Sequence, residues 1–181
     1  MNIALKVVFW VVLTLLITVL CIWLCNKVFL YRLDSFLFAW VLHFLLMSWY
    51  ACSLPYLKLE YNGSYYDIKP IEGKGKIYAY FGVNIFRWIL KRIGWNKISD
   101  KQNGEIVKSV DRLKRREQHT REAELAHGIL FFHFLIISFY FLPNHNVFWL
   151  VLLNVILHLY PVFVQRYNRP RYLKLIAKLE R

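Results

Sequence analysis

The chain has 181 residues, 58% of them hydrophobic and 19% charged, a balance far more apolar than a soluble domain of this length carries. The formal net charge is +13, but the cations lie beside apolar runs, where an acidic lipid surface explains them better than a nucleic acid does. Disorder and a disulfide-stapled secreted fold are excluded on the same grounds.

Four uncharged windows, residues 7–25, 35–54, 125–142 and 147–165, are 18 to 20 residues long, the length that crosses a hydrocarbon core. They predict an all-α membrane protein of four transmembrane helices in a single integral-membrane domain, residues 1–181. Lys6 precedes the first window, which is longer than a secretory core and lacks a cleavage site, so it reads as a retained anchor. Cys21 and Cys25, one helical turn apart, read as packing residues of that span. Cys52 falls near the opposite side of the bilayer, so no disulfide to it is expected. The 55–124 connection holds 15 Lys/Arg against 9 Asp/Glu, and residues 166–181 hold 6 against 1. The bias of Lys and Arg toward the cytoplasm places both there, with both termini. Lys27 and Arg32 on the outer side run counter to it.

After Pro55, the stretch Tyr56–Tyr66 with Asn62-Gly63 predicts a turn at headgroup level. Gly73 and Gly75 bracket Lys74 in a basic connector that lacks the strand context of a phosphate-binding loop. Between Phe81 and Ile98, Val83, Ile85, Phe86, Trp88, Ile89, Leu90, Ile93 and Trp95 interleave with Arg87, Lys91, Arg92 and Lys97. This pattern predicts an amphipathic interfacial helix, either a simple anchor or a roof that gathers an anionic substrate. Residues 105–124 are dense in helix formers and are expected to run as a charged helical extension straight into the third span. Its Arg112, Lys114, Arg115 and Arg116 suit lipid headgroups or a phosphate-bearing donor.

Ionisable side chains within spans are costly and mark candidate sites. Glu124 and His127, three residues apart, share a helix face where the third span begins, and a carboxylate there can fix the imidazole as a general base. Glu-x-x-His also occurs in metal-binding bundles, but those draw further carboxylates from neighbouring spans and no other acid lies within a span here, so no metal site is expected. On the fourth span Asn154, His158 and Gln165 fall on one face of a regular helix to within about 20°, either lining a polar pocket or bonding across helices. His43 and His133 stand alone in apolar sequence and read as packing histidines. Arg166, Arg169 and Arg171 end the span with planar forks suited to phosphate or carboxylate.

The segment Arg121-Glu-Ala-Glu-Leu-Ala-His127 before an apolar span, and above all Val164-Gln-Arg-Tyr-Asn-Arg-Pro-Arg171 after the last one, resemble the glycosyl-4,4'-diaponeurosporenoate acyltransferases. The likeness covers residues 121–127 and 154–171, more loosely 81–98, and only in character the first two spans. It implies a bacterial membrane enzyme that esterifies a sugar hydroxyl of a glycosylated carotenoid. The roles it implies are His127 as base with Glu124 as partner, and Arg166, Asn168, Arg169 and Arg171 as donors to the oxyanion and the acyl donor. The chain has no Gly-x-Ser-x-Gly elbow, no cysteine placed near a histidine and no His-x4-Asp, so direct transfer from a thioester is favoured over an acyl-enzyme. The implied partners are membrane lipids, coenzyme A or acyl-carrier protein bearing the acyl group, and a lipophilic glycosylated acceptor such as a glycolipid or carotenoid glycoside. No bound cofactor or nucleic acid is expected. A non-catalytic lipid-binding scaffold, or a small intramembrane methyltransferase, would use the same cations differently.

Overall fold

The computed structural model describes residues 2–94 and 109–180. Trp95, Lys97 and Ile98 of the amphipathic segment and residues 105–108 of the charged extension therefore lie outside the described residues. Four helices are long and apolar enough to cross a membrane, Ile3–Val28, Phe36–Leu57, Val110–Phe141 and Phe148–Leu179, and no strand occurs among the described residues. The chain is an all-α membrane protein with four spans, as composition and periodicity predict.

Helix boundaries follow local chemistry. Helix α1 (Ile3–Trp23) opens on Asn2, whose side chain accepts from the Ala4 N–H at 3.3 Å, and α2 (Phe36–Ser53) opens on Ser35, whose hydroxyl accepts from the Phe38 N–H at 3.1 Å; both satisfy N–H groups that the first turn leaves open. Lys58, left-handed at φ 50°, stops the 3₁₀ turn Leu54–Leu57 that follows α2. Short α3 (Ile77–Tyr80) and α4 (Val83–Arg92) come next. The charged extension joins the third span in one 32-residue helix, α5 (Val110–Phe141). The fourth span comprises α6 (Phe148–Asn154), a π turn over Val155–Leu159, and α7 (Tyr160–Leu179). The arginine run Arg166, Arg169 and Arg171 lies within α7.

The chain divides into two compact units, residues 1–59 with 128–159 and residues 60–127 with 160–181. In the first, Phe38, Leu42, Leu46, Phe134 and Leu150 form the buried core, while Phe9, Leu16, Val19, Phe132, Ile136 and Phe139 are exposed, as lipid-facing positions are. Polar groups in hydrocarbon need protein partners. Accordingly Trp10 Nε1 donates to Ser53 Oγ at 2.9 Å, and Trp49 Nε1 donates to Thr14 Oγ1 at 3.0 Å. Cys21 and Cys25 are buried and Cys52 is exposed, all three as free thiols.

In the second unit Val83, Leu113 and Ile176 are buried, Phe86 stacks on Tyr160 and both Tyr78 and Phe81 pack on Phe163. Among the described residues the amphipathic helix runs from Val83 to Arg92, bracketed by Gly82 and Gly94, both at positive φ. Ile85, Trp88, Ile89 and Ile93 remain as an exposed apolar stripe. Arg87 and Lys91 stand one turn apart on this helix, with Arg87 over the Tyr167 ring, while Arg92 folds over Trp88.

Candidate functional site

Along α5 the residues Glu117, Thr120 and Glu124 recur at helical spacing on one face, and along α7 Arg166 and Arg169 do the same. The second unit brings these faces together and closes them with the loop 61–72. Arg166 Nε donates to Glu124 Oε1 at 2.6 Å and Arg169 Nη2 donates to Glu124 Oε2 at 2.5 Å, so each oxygen of this fully buried carboxylate holds a different guanidinium.

The remaining guanidinium nitrogens turn to the loop. Arg166 Nη1 donates to Glu72 Oε1 at 2.9 Å and to the Asp67 carbonyl at 3.4 Å, and its Nη2 donates to the Tyr65 carbonyl at 2.7 Å. Arg169 donates through Nε to Thr120 Oγ1 and through Nη1 to the Tyr66 carbonyl, both at 3.0 Å. Arg121 donates to Glu117 at 2.7 Å and to the Tyr61 carbonyl at 3.0 Å. Three guanidiniums thus meet three carboxylates, and the loop carbonyls that folding removes from water find donors. The rings close the same joint, Tyr65 beneath Arg166 and Tyr66 beneath Arg169. Burial, followed by the Glu124 charge, pushes both phenols above their ordinary range. Tyr78 is pushed up to about 12 by burial and by Glu72.

Gly75 fits the loop to α7. Its φ is +85°, and a Cβ there would come 3.2 Å from the Tyr167 carbonyl and 3.3 Å from that of Arg166. Pro170 lies in the same helix and has no N–H to return to the Arg166 carbonyl.

His127 is half-buried one turn beyond Glu124 on α5. Gln165 and Asn168 are half-buried and Arg171 is exposed, with the Arg171 guanidinium over the Tyr167 ring and donating to the Tyr167 carbonyl. Asn154 and His158 belong to the other unit, where they bond across helices: Asn154 Nδ2 donates to the Phe131 carbonyl at 3.1 Å, and His158 Nε2 lies 2.9 Å from His43 Nδ1. The π turn between Asn154 and Gln165 breaks the regular winding on which a shared face for all three depended.

His43 and His133 are not isolated. His43 Nε2 lies 3.3 Å from the Leu150 carbonyl, which can only accept, so His43 Nδ1 takes its hydrogen from His158. Thr18 gives its hydrogen to the Thr14 carbonyl, so its oxygen accepts from His133 Nε2 at 3.2 Å, and His133 Nδ1 accepts from the Tyr50 hydroxyl at 2.9 Å. Their partners stand on other helices, at separations of 83 to 115 residues that no local pattern encodes.

Glu124 is likewise not the lone acid of the spanning helices, since buried Glu117 shares α5 with it. Glu72, Glu117, Thr120 and the carbonyls of residues 61–67 escape a sequence reading. Glu117 leaves a trace, its i,i+4 spacing to Arg121 and its alignment with Glu124; Glu72 in the glycine connector leaves none.

The family model described as glycosyl-4,4'-diaponeurosporenoate acyltransferase matches residues 62–178, 117 of the 181 residues. The chain belongs to this family. Membership makes it an acyltransferase of carotenoid biosynthesis, and the likeness at residues 121–127 and 164–171 extends over a much longer stretch. The match takes in Glu72, Glu117, Thr120, Glu124, His127, Arg166 and Arg169 and begins after the first two spans. No curated protein and no solved structure matches the chain.

Proposed function

We propose that this diaponeurosporenoate-family acyltransferase moves a fatty acyl group from a thioester, on coenzyme A or acyl-carrier protein, directly to a sugar hydroxyl of a glycosylated carotenoid at the cytoplasmic face of the bacterial membrane. The observation that carries the reading is the buried Glu124 gripped by two arginines one helical turn before His127, within the matched region.

In this reaction His127 takes the proton from the acceptor hydroxyl as its oxygen attacks the thioester carbonyl. The new C–O bond forms, the C–S bond breaks, and the imidazolium returns the proton to the departing thiolate. Glu124 is a positioning residue: its two oxygens, held by Arg166 and Arg169, fix the turn of α5 that carries His127. The forks of those arginines are engaged with protein, so they shape the site. Asn168 and Arg171, further along α7, supply donors for the oxyanion and for the anionic end of the acyl carrier. Gln165 contacts substrate, whereas Asn154 and His158 brace the spans.

The test is ester formation by the protein in lipid vesicles, supplied with the glycosylated carotenoid and either thioester, followed by mass spectrometry. His127→Gln is expected to insert normally and to lose about 10²–10⁴-fold in turnover. His133→Gln, which breaks the bonds to Tyr50 and Thr18, is expected to lower stability while keeping turnover per folded molecule. Wild-type turnover in His127→Gln refutes the base, and the reverse pattern moves it to His133.

A further inference from the structure

Within the first unit, α1 and α2 enclose a groove of about 380 Å³, a volume in the range of small-ligand sites. Lys6, Phe9, Trp10 and Leu13 line one side and Trp49 and Leu57 the other. Both indole N–H groups are spent on protein, Trp10 on Ser53 and Trp49 on Thr14, so the rings offer only carbon to an occupant. From Lys6 to Leu13 the groove follows two turns of helix, about 10 Å.

Lys6 is half-buried at the end nearest the start of α1 and makes no ion pair among the described residues. The first unit contains a single carboxylate, Asp34, and it is already paired with Arg32 at 3.0 Å. Neither this unit nor the same unit of a second copy therefore has an unpaired acid to give Lys6. An amphiphile with an anionic head and a hydrocarbon tail satisfies both features at once: the chain covers the groove, and the head meets a partly desolvated cation.

We propose that this groove is a specific site for one acyl chain of an anionic phospholipid whose phosphate pairs with Lys6. The site is independent of the acyl-transfer reading, since it lies outside the matched residues and uses none of the groups assigned to catalysis.

The protein in phosphatidylcholine vesicles is exposed to a trace of phosphatidylglycerol carrying a photoreactive diazirine in one chain, and the cross-links are mapped by peptide mass spectrometry. Labelling is expected to concentrate on residues 6–13 and 49–57 and to be displaced by unlabelled phosphatidylglycerol but not by phosphatidylcholine. Lys6→Gln is expected to lower that labelling about fivefold, the effect of one basic residue at an anionic lipid surface. Lys6→Arg should retain it, and Leu13→Phe, which fills the groove, should lower it with Lys6 intact. Uniform labelling around the exposed faces of all four spans would show annular lipid only. Equal labelling by a phosphatidylcholine probe would remove the role of Lys6, and residues 6–13 and 49–57 left unlabelled while the other exposed faces are labelled would give the groove to protein, such as a second copy. Any of these overturns the site.

Discussion

Replacing Glu124 by Gln removes the charge that two buried guanidiniums share. The amide keeps one acceptor oxygen, but its NH₂ must face either Arg166 Nε or Arg169 Nη2, bringing donor against donor where bonds of 2.6 and 2.5 Å stood. Breaking a buried ion pair from one side costs about 3–5 kcal/mol. The lower end applies here, because Arg166 keeps Glu72 at 2.9 Å and Arg169 keeps Glu117 at 3.8 Å. About 3 kcal/mol in a chain of this size lowers the melting temperature by about 6–12 °C, readable by thermal unfolding of the protein in lipid nanodiscs. The loop carbonyls of Tyr65 and Tyr66 hang on the same forks, so proteolysis within residues 61–72 should accelerate in parallel. Adding Arg169→Met removes one of the stranded charges, and the double variant should lose at least about 1 kcal/mol less than the two single losses together. If Glu124→Gln melts within about 2 °C of wild type, or if the double variant is strictly additive, the carboxylate is not the keystone of the arginine cluster.

Arg169→Lys keeps the charge but cannot reach Glu124, Thr120 and the Tyr66 carbonyl together; stability should fall by about 2–3 kcal/mol and activity with it, whereas an unchanged melting temperature would reduce Arg169 to an anchor. Gly75→Ala meets both a left-handed backbone and the carbonyls of residues 166 and 167, and should cost more than Gly73→Ala, which meets only an ordinary 3.8 Å contact with the Lys76 Cβ and the backbone strain of about 1–2 kcal/mol; equal losses in denaturant unfolding would refute the close approach. A reporter fused after Arg181 should read cytoplasmic, as the 15 and 6 basic residues of the loop and tail require, and an external signal would invert the proposed orientation.

Hydrophobic length and charge placement determined the four spans, because lipid demands helices of a given length whatever their neighbours are. The same local signals carried the unbroken helix through residues 110–141, since no proline and a single glycine, Gly128, interrupt it. The residues of the buried cluster were legible as types: Glu124 by its place where the third span begins, Arg166 and Arg169 by their clustering at the end of an apolar run. Their partners were not. Whether a guanidinium binds a substrate or a protein carboxylate depends on what the loop between the second and third spans brings to it, and Glu72 and the carbonyls of Tyr65 and Tyr66 come from 94 to 103 residues away. His43 and His133 show the same limit from the other side, because an imidazole surrounded by apolar neighbours in sequence finds its polar partners only across a helix interface. Helices form from contacts a few residues apart, so their pattern is written along the chain. A buried charge network is balanced between segments that only folding brings together, so the tertiary structure alone decided it.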